Sequence, residues 1–156
     1  MAARELTLSG DVRVKERSPG VVFGLGLVTA GVYFVWWWYE INRELRDYGR
    51  VAGGPDPIRV RPALAAAAAA VGALGALPVV KPSTPFVVIG LAALVPALVT
   101  TWRTSRRVRR AQELSGSEAA ASPELGVVIY VLLAFVLGFY LQWQLNAVWR
   151  SASQHS

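Results

Sequence analysis

Four long stretches of this chain carry no charged side chain, and they constrain its fold more than any other feature. They are residues 18–39, 62–80, 82–102 and 125–149, and they are 22, 19, 21 and 25 residues long. About 20 apolar residues in a helix cross the hydrocarbon core of a bilayer. Helices exposed to water need a polar face, and a chain of 156 residues is too small to surround four apolar helices. The sequence therefore predicts an all-α fold, an integral membrane helical bundle.

The predicted membrane domain covers residues 20–149 and lies between a polar N-terminal tail (1–19) and a polar C-terminal tail (150–156). Charged residues make up 17% of the chain, below the roughly 25% of ordinary water-soluble domains. The apolar segments of this domain are expected at about 20–39, 62–80, 85–102 and 124–149.

Lysine and arginine are concentrated in the two longer connections, with 5 between the first and second segments and 5 between the third and fourth. Loops rich in these residues face the cytoplasm. We therefore expect a multi-pass protein of the bacterial inner (plasma) membrane with both basic loops cytoplasmic. Either four segments cross with the N-terminal tail outside, or three cross and the first is re-entrant. Small residues would permit such a break: Gly24, Gly26, Thr29 and Gly31.

The chain also contains a weak two-unit internal repeat. In each unit an apolar segment ends at a tryptophan, a charged helix follows, and a glycine and a proline precede the next apolar segment. The spacing from Trp36 to Gly49 is 13, and that from Trp102 to Gly116 is 14. Repeats of this kind occur in membrane proteins.

Aromatic residues are frequent at the ends of the apolar segments. Tryptophan and tyrosine favour the membrane–water boundary, where the ring is dry and its polar edge is wet. The sequence thus predicts an interfacial aromatic belt formed by Trp36, Trp37, Trp38, Tyr39, Trp102, Trp143 and Trp149.

Five arginines form the densest positive cluster, and they follow the third apolar segment: Arg103, Arg106, Arg107, Arg109 and Arg110. Arginines beside a membrane attract anionic lipid head groups, at about 1 kcal/mol per cation. The alternative is that the cluster only sets the topology, and the sequence leaves both open. Nucleic acid is an unlikely partner because no recognition motif accompanies the charge.

Two amides in the fourth segment, Gln142 and Asn146, are four residues apart and share one helix face. We expect them to form interhelical hydrogen bonds, with Thr29 among the candidate partners, while Gln144 points elsewhere. The alternative is that both amides are hydrated. The charged helix after Tyr39 is interpreted as a solvated face stabilised by local ion pairs.

No residue is predicted to be catalytic, to bind a metal or to hold a cofactor. The chain has no cysteine and one histidine, His155, whereas a zinc site needs three or four ligands at defined spacing. The glycine pair Gly24 and Gly26 has neither the third glycine nor the acidic residue of a nucleotide-binding loop. We therefore expect a protein that is not an enzyme.

The order of several short motifs resembles that of the DUF4234 family of uncharacterised prokaryotic membrane proteins. The motifs are Val28-Thr29-Ala30-Gly31-Val32-Tyr33, the aromatic cluster Trp36–Tyr39, the sequence Asn42-Arg43-Glu44-Leu45, and Gln142 with Leu145 and Asn146. Val32 stands where the family usually has isoleucine. The resemblance covers roughly residues 18–149 and implies no known reaction.

The function expected from these features is that of an accessory or scaffold component of a membrane assembly. Its expected partners are the lipid bilayer, another protein or a second copy of itself, and anionic lipids. One alternative is a small transporter or channel, although the apolar segments carry no charge of the kind that marks such pathways. The other alternative is an anionic-lipid-binding membrane protein.

Overall fold

The computed structural model describes residues 4–8, 12–29, 31–52, 58–75, 84–117 and 121–154. Within these residues, two strands at the N-terminal end precede five helices. The strands are β1 (Arg4–Leu8) and β2 (Val12–Glu16), and the helices are α1 (Pro19–Val28), α2 (Val32–Ala52), α3 (Pro62–Gly75), α4 (Thr84–Ser115) and α5 (Pro123–Gln154).

The N-terminal segment, interpreted from the sequence as a polar tail, is an antiparallel hairpin in which Leu6 pairs with Val14. Apolar and polar residues alternate along both strands, and this is the pattern of a strand with one buried face. Leu8 and Val14 are buried, and the hairpin contacts α2 and α5. It therefore belongs to the folded core.

The helices form a bundle in which α4 lies between α3 and α5, α2 packs against α3 and α4, and α1 packs along α5. The best-buried core lies at one end of the bundle. It joins the middle of α2, the C-terminal halves of α4 and α5, and the hairpin. Its largest fully buried side chains include Trp37, Ile41, Leu141, Leu145 and Trp149.

The prediction of an integral membrane helical bundle, with three or four crossings, is wrong. Of the helices that the structure describes, none combines the length and the apolarity that crossing a membrane requires. The first two charge-free stretches do not each form one long helix. The first is divided between α1, of 10 residues, and α2, whose second half is charged, and α3 has 14 residues. The all-α prediction is also wrong, because the hairpin is present.

The internal repeat does not correspond to two equivalent units. Gly116, with a φ of +66°, ends α4 in the left-handed conformation that favours glycine. Gly49, predicted to end the first charged helix, lies inside α2, which continues to Ala52. A side chain at Gly49 would overlap with Ile58. The two glycines therefore occupy similar sequence positions for different structural reasons. The chain does break between α1 and α2, where Gly31 has a φ of +90°.

The predicted aromatic belt is divided between the core and the surface. Trp37, Trp38 and Trp149 are buried, whereas the other four members (Trp36, Tyr39, Trp102 and Trp143) are exposed. Successive residues of a helix point in directions about 100° apart, so four consecutive aromatics cannot all lie on one outer surface. Those on the inner face of α2 instead pack in the core, where Tyr48 meets Trp149 edge to face at 5.4 Å.

Glycines allow close approaches between helices. The ring of Phe34 in α2 packs against Gly26 of α1 and Gly138 of α5, and a Cβ atom at either glycine would overlap with that ring. On the other side of the bundle, Gly72 of α3 packs against Ala97 of α4.

Candidate anion-binding groove

A groove of about 730 Å³ opens between the C-terminal half of α2, the segment before α3, and α4. Its described lining contains six arginines and no acidic residue. The arginines come from three parts of the chain: Arg46 and Arg50 from α2, Arg59 and Arg61 from the segment before α3, and Arg103 and Arg107 from α4. This lining defines the main groove.

Local structure explains why these arginines meet. Arg103 and Arg107 are four residues apart, so both lie on the same face of α4. The chain leaves α2 and returns at Ile58, which is buried against Gly49, and this contact holds Arg59 beside α4. The apolar floor is tied across α3 and α4 by Thr100, whose hydroxyl lies 3.5 Å from the carbonyl oxygen of Ala65.

A buried asparagine holds one of the guanidinium groups. Asn42 of α2 is fully buried, and its amide nitrogen donates to the carbonyl oxygen of Trp38 at 2.9 Å. Its amide oxygen accepts hydrogen bonds from Thr104 Oγ1 at 3.3 Å and from Arg107 Nη1 at 3.1 Å. The side chain of Arg107 is thereby fixed to a second helix, unlike a freely rotating surface arginine.

The positive charge of the main groove is only partly balanced. Asp47 lies 2.9 Å from Arg46 and 3.8 Å from Arg50. Among the residues that the structure describes, by contrast, Arg59, Arg61 and Arg103 have no ion pair within 4 Å.

The uncompensated charge of the main groove affects the pKa of Arg107. Burial, together with the neighbouring guanidinium of Arg103, lowers the pKa of Arg107 from its ordinary value. Both effects disfavour the charged form. An anion in the groove would therefore relieve a repulsion that already exists in the folded protein.

A second groove of about 510 Å³ lies alongside, and it contains the rest of the basic cluster of α4. Arg106, Arg109 and Arg110 line it together with the half-exposed ring of Trp102. Glu113 and Glu124 also line this groove, and Glu113 pairs with Arg110 at 3.1 Å. The second groove is therefore less positive than the main groove.

Guanidinium groups are suited to one kind of chemistry. Each offers a planar set of N–H donors that matches the oxygens of phosphate or carboxylate, and it does not exchange protons near neutral pH. The described residues contain no group of three or more His, Cys, Asp or Glu side chains placed to hold a metal ion. The arrangement can bind and orient an anion by charge and by hydrogen bonds.

The structure brings together arginines that lie far apart in the sequence. The predicted cluster of Arg103, Arg106, Arg107, Arg109 and Arg110 is divided between the two grooves. The arginines of α2 and of the segment before α3, and Asn42 beneath them, were not predicted to contribute. The sequence did contain a signal for the main groove, since each of the two basic connections carries five arginines. Arginines from both connections line the main groove.

The amides Gln142 and Asn146 lie at a separate, buried site at the other side of α2. Trp37 Nε1 donates to the side-chain oxygen of Gln142 at 2.8 Å. The amide nitrogen of Gln142 in turn donates to the side-chain oxygen of Asn146, also at 2.8 Å. Asn146 also binds the backbone of Arg17, accepting from its N–H at 3.3 Å and donating to its carbonyl oxygen at 2.7 Å. These amides thus tie α5 to α2 and to the chain that follows the hairpin.

Two expectations about polar residues differ from the structure. Among the described residues, the side chain of Thr29 bonds within its own segment, donating to the carbonyl oxygen of Leu25 and accepting from the N–H of Tyr33, because it lies at the end of α1. Glu44, expected on a solvated face, is buried and binds the guanidinium of Arg17. Gln144 points away from Gln142, as its spacing requires, and accepts from Gln112 at 2.7 Å.

Comparison with known proteins identifies one relationship. A sequence model described as a domain of unknown function, DUF4234, matches residues 17–150. The matched range includes both grooves and the buried amides, and it begins at Arg17, immediately after the hairpin. No curated protein and no solved structure matches the chain significantly.

Proposed function

Since the chain belongs to the DUF4234 family, whose description assigns no role, we propose that it is a non-enzymatic accessory protein that binds phosphate-bearing anions in the main groove. The ligand is either the head group of an anionic lipid or a free phosphate compound. The observation that carries the proposal is the set of six arginines facing a groove in which no described lining residue is acidic.

Three features support binding at this place. The groove brings together charges from separate parts of the chain, so its positive character depends on the fold. Arg107 is held by Asn42, so less side-chain freedom is lost when it binds. Arg59, Arg61 and Arg103 have exposed side chains, so their donors are accessible to a ligand.

The non-enzymatic character rests on the kind of residues that line the groove. Thr100 is the only described lining residue with a hydroxyl group, and its hydroxyl faces the carbonyl oxygen of Ala65. General acid–base catalysis needs a group that exchanges protons near the working pH, and arginine does not. The described lining therefore favours binding over reaction.

The test measures binding to lipid vesicles by flotation. Vesicles of phosphatidylcholine are compared with vesicles in which part of that lipid is replaced by phosphatidylglycerol. We expect binding to the anionic vesicles, weakened about fivefold for each of Arg61→Gln and Arg103→Gln, and reduced by added salt. Competition by inorganic phosphate would identify a free phosphate compound as the preferred ligand.

The matched control is Arg43→Gln, since Arg43, like Arg61 and Arg103, is exposed, but it lines neither groove. It should bind anionic vesicles as the parent does. Equal binding to both kinds of vesicle, together with no heat of binding to inorganic phosphate, would overturn the proposal. An equal loss of binding in Arg43→Gln would show that net charge, not the groove, is responsible.

A further inference from the structure

The two grooves are adjacent and share three lining residues, two of which are arginines. Ile58, Arg59 and Arg107 line both. Arg107 therefore lies at the boundary, with Arg61 and Arg103 on one side of it and Arg106 and Arg110 on the other. The two linings together form one basic surface along α4. Arg103 and Arg110 are seven residues apart, which is about 10 Å along a helix, so this surface is longer than a single phosphate group.

One guanidinium group at this boundary is held by a buried partner. Arg107 is half-buried and bound to Asn42, whereas Arg103, Arg106, Arg109 and Arg110 are exposed. One charge is thus fixed at the centre, with adaptable charges at both ends. Such an arrangement suits a ligand whose negative charges are spaced along a chain, because each of its groups can meet a separate guanidinium.

We propose that the ligand carries two or more linked phosphate groups and binds across both grooves, with Arg59 and Arg107 between its phosphates. This inference rests on the proposed function and narrows it to oligophosphates or to lipids with more than one phosphate. Linking two anions makes the second contact intramolecular, so affinity rises without any new kind of contact.

Calorimetric titration of the purified protein with inorganic phosphate, pyrophosphate and tripolyphosphate tests the proposal. We expect tripolyphosphate to bind at least about tenfold more tightly than phosphate, with one ligand per chain. Arg61→Gln, in the main groove alone, and Arg106→Gln, in the second groove alone, should each weaken tripolyphosphate binding about fivefold. Arg43→Gln should leave it unchanged.

The outcomes separate this inference from the proposed function. Equal affinity for phosphate and tripolyphosphate would overturn the inference and leave single-phosphate binding in place. Two ligands per chain, with each variant abolishing one of them, would also overturn it, because the grooves would then be independent. No binding of any phosphate compound and no binding to anionic vesicles would overturn both.

Vesicles distinguish the two sources of such a ligand. Cardiolipin carries two phosphates and phosphatidylglycerol carries one, so vesicles of equal charge density can be prepared from each in phosphatidylcholine. Stronger flotation with cardiolipin, lost equally in Arg61→Gln and Arg106→Gln, would identify a lipid. Equal flotation with the two lipids, together with tight calorimetric binding of tripolyphosphate, would identify a free oligophosphate.

Discussion

Arg17 and Glu44 form a bidentate ion pair in the interior, with guanidinium nitrogens 2.7 and 3.2 Å from the carboxylate oxygens. Their side chains are 6% and 7% exposed, and Glu40 lies 3.8 Å from the same guanidinium. Taking two charges out of water is costly, so the importance of such a pair lies in what happens when one partner is removed. Glu44 keeps Arg17, and with it the start of α1, in place.

We therefore expect Glu44→Ala to lower the free energy of unfolding by roughly 3–5 kcal/mol, because it leaves a buried guanidinium without its main acceptor. Chemical denaturation measures the change. The control is Glu113→Ala, which removes an exposed partner of Arg109 and Arg110 and should cost less than about 1 kcal/mol. Equal losses in the two variants would show that the Arg17–Glu44 pair is not buried in solution.

The same glutamate gives stability a dependence on pH. Burial raises the pKa of Glu44 above its ordinary value of 4.5, against the opposing influence of Arg17. The native state then holds this proton more tightly than the unfolded state does. This contribution to stability is fully present below the pKa that Glu44 has in the unfolded chain. It is lost as the pH rises through the higher pKa that Glu44 has in the native state.

Glu44→Gln provides the comparison, since glutamine resembles the protonated acid and does not titrate. As the pH rises from about 4.5 through the raised pKa, the parent should lose stability relative to Glu44→Gln. Denaturation of both proteins at a series of pH values measures the difference. A parent that gains stability over this window would mean that Arg17 outweighs burial.

Asn146 and Gln144 lie on different faces of α5 and allow a matched test of the buried amides. Asn146→Leu removes the partners of the N–H and carbonyl groups of Arg17 and of the amide nitrogen of Gln142. We expect a loss of roughly 2–4 kcal/mol, because each buried polar group left without a partner costs about 1–3 kcal/mol before relaxation. Gln144→Leu breaks one described bond, to Gln112, and should cost about 1–2 kcal/mol.

Limited proteolysis separates the two variants further. Of these two amides, only Asn146 has a described hydrogen bond to the chain after the hairpin, so Asn146→Leu, and not Gln144→Leu, should make trypsin cleave faster after Lys15 and Arg17. If Gln144→Leu exposes these sites equally, the hairpin is held by the whole of α5 and not by Asn146.

Substitution by alanine should have opposite effects at two glycines, because one packs against Phe34 and the other has free space around it. Gly138→Ala should destabilise the protein by about 1–3 kcal/mol, since the added methyl group overlaps with the ring of Phe34. Gly24→Ala should be neutral or stabilise by up to about 1 kcal/mol, since nothing lies within 4 Å of its Cβ position and alanine favours helix. Thermal unfolding measures both.

A double-mutant cycle with Phe34→Leu checks the cause. The smaller side chain should make room for the methyl group, so the double variant should lose less stability than the sum of the two single variants. Strict additivity would show that Gly138→Ala acts through some contact other than Phe34.

The start of α5 could be predicted from local sequence, because the features that begin a helix lie within one turn. Ser122, Pro123 and Glu124 provide a cap, a fixed φ and a favourable charge. In the structure Ser122 Oγ accepts from the N–H of Leu125 at 3.2 Å. The spacing of Gln142 and Asn146 likewise placed both on one helix face.

Other features depend on contacts that no local pattern contains. The prediction treated each long stretch without charge as a membrane-crossing helix. Counting charges does not show that the helix breaks at Gly31, and it does not show that the charged part of α2 packs in the core. The alternation of Leu6, Leu8, Val12 and Val14 was a usable hairpin signal, and the charges between them obscured it. The main groove could not be predicted because it depends on tertiary structure, which places Arg59 and Arg107 in the same lining.

The bond between Arg17 and Asn146 joins residues 129 positions apart, and this separation has a consequence during synthesis. The ribosome delivers the hairpin and Arg17 well before the segment that carries Gln142 and Asn146. Until then the backbone N–H and carbonyl groups of Arg17 lack their buried partner and are better hydrated than buried, and closing so long a loop is slow. The first-made segment of the described fold is therefore among the last to dock, and its docking marks the completion of α5.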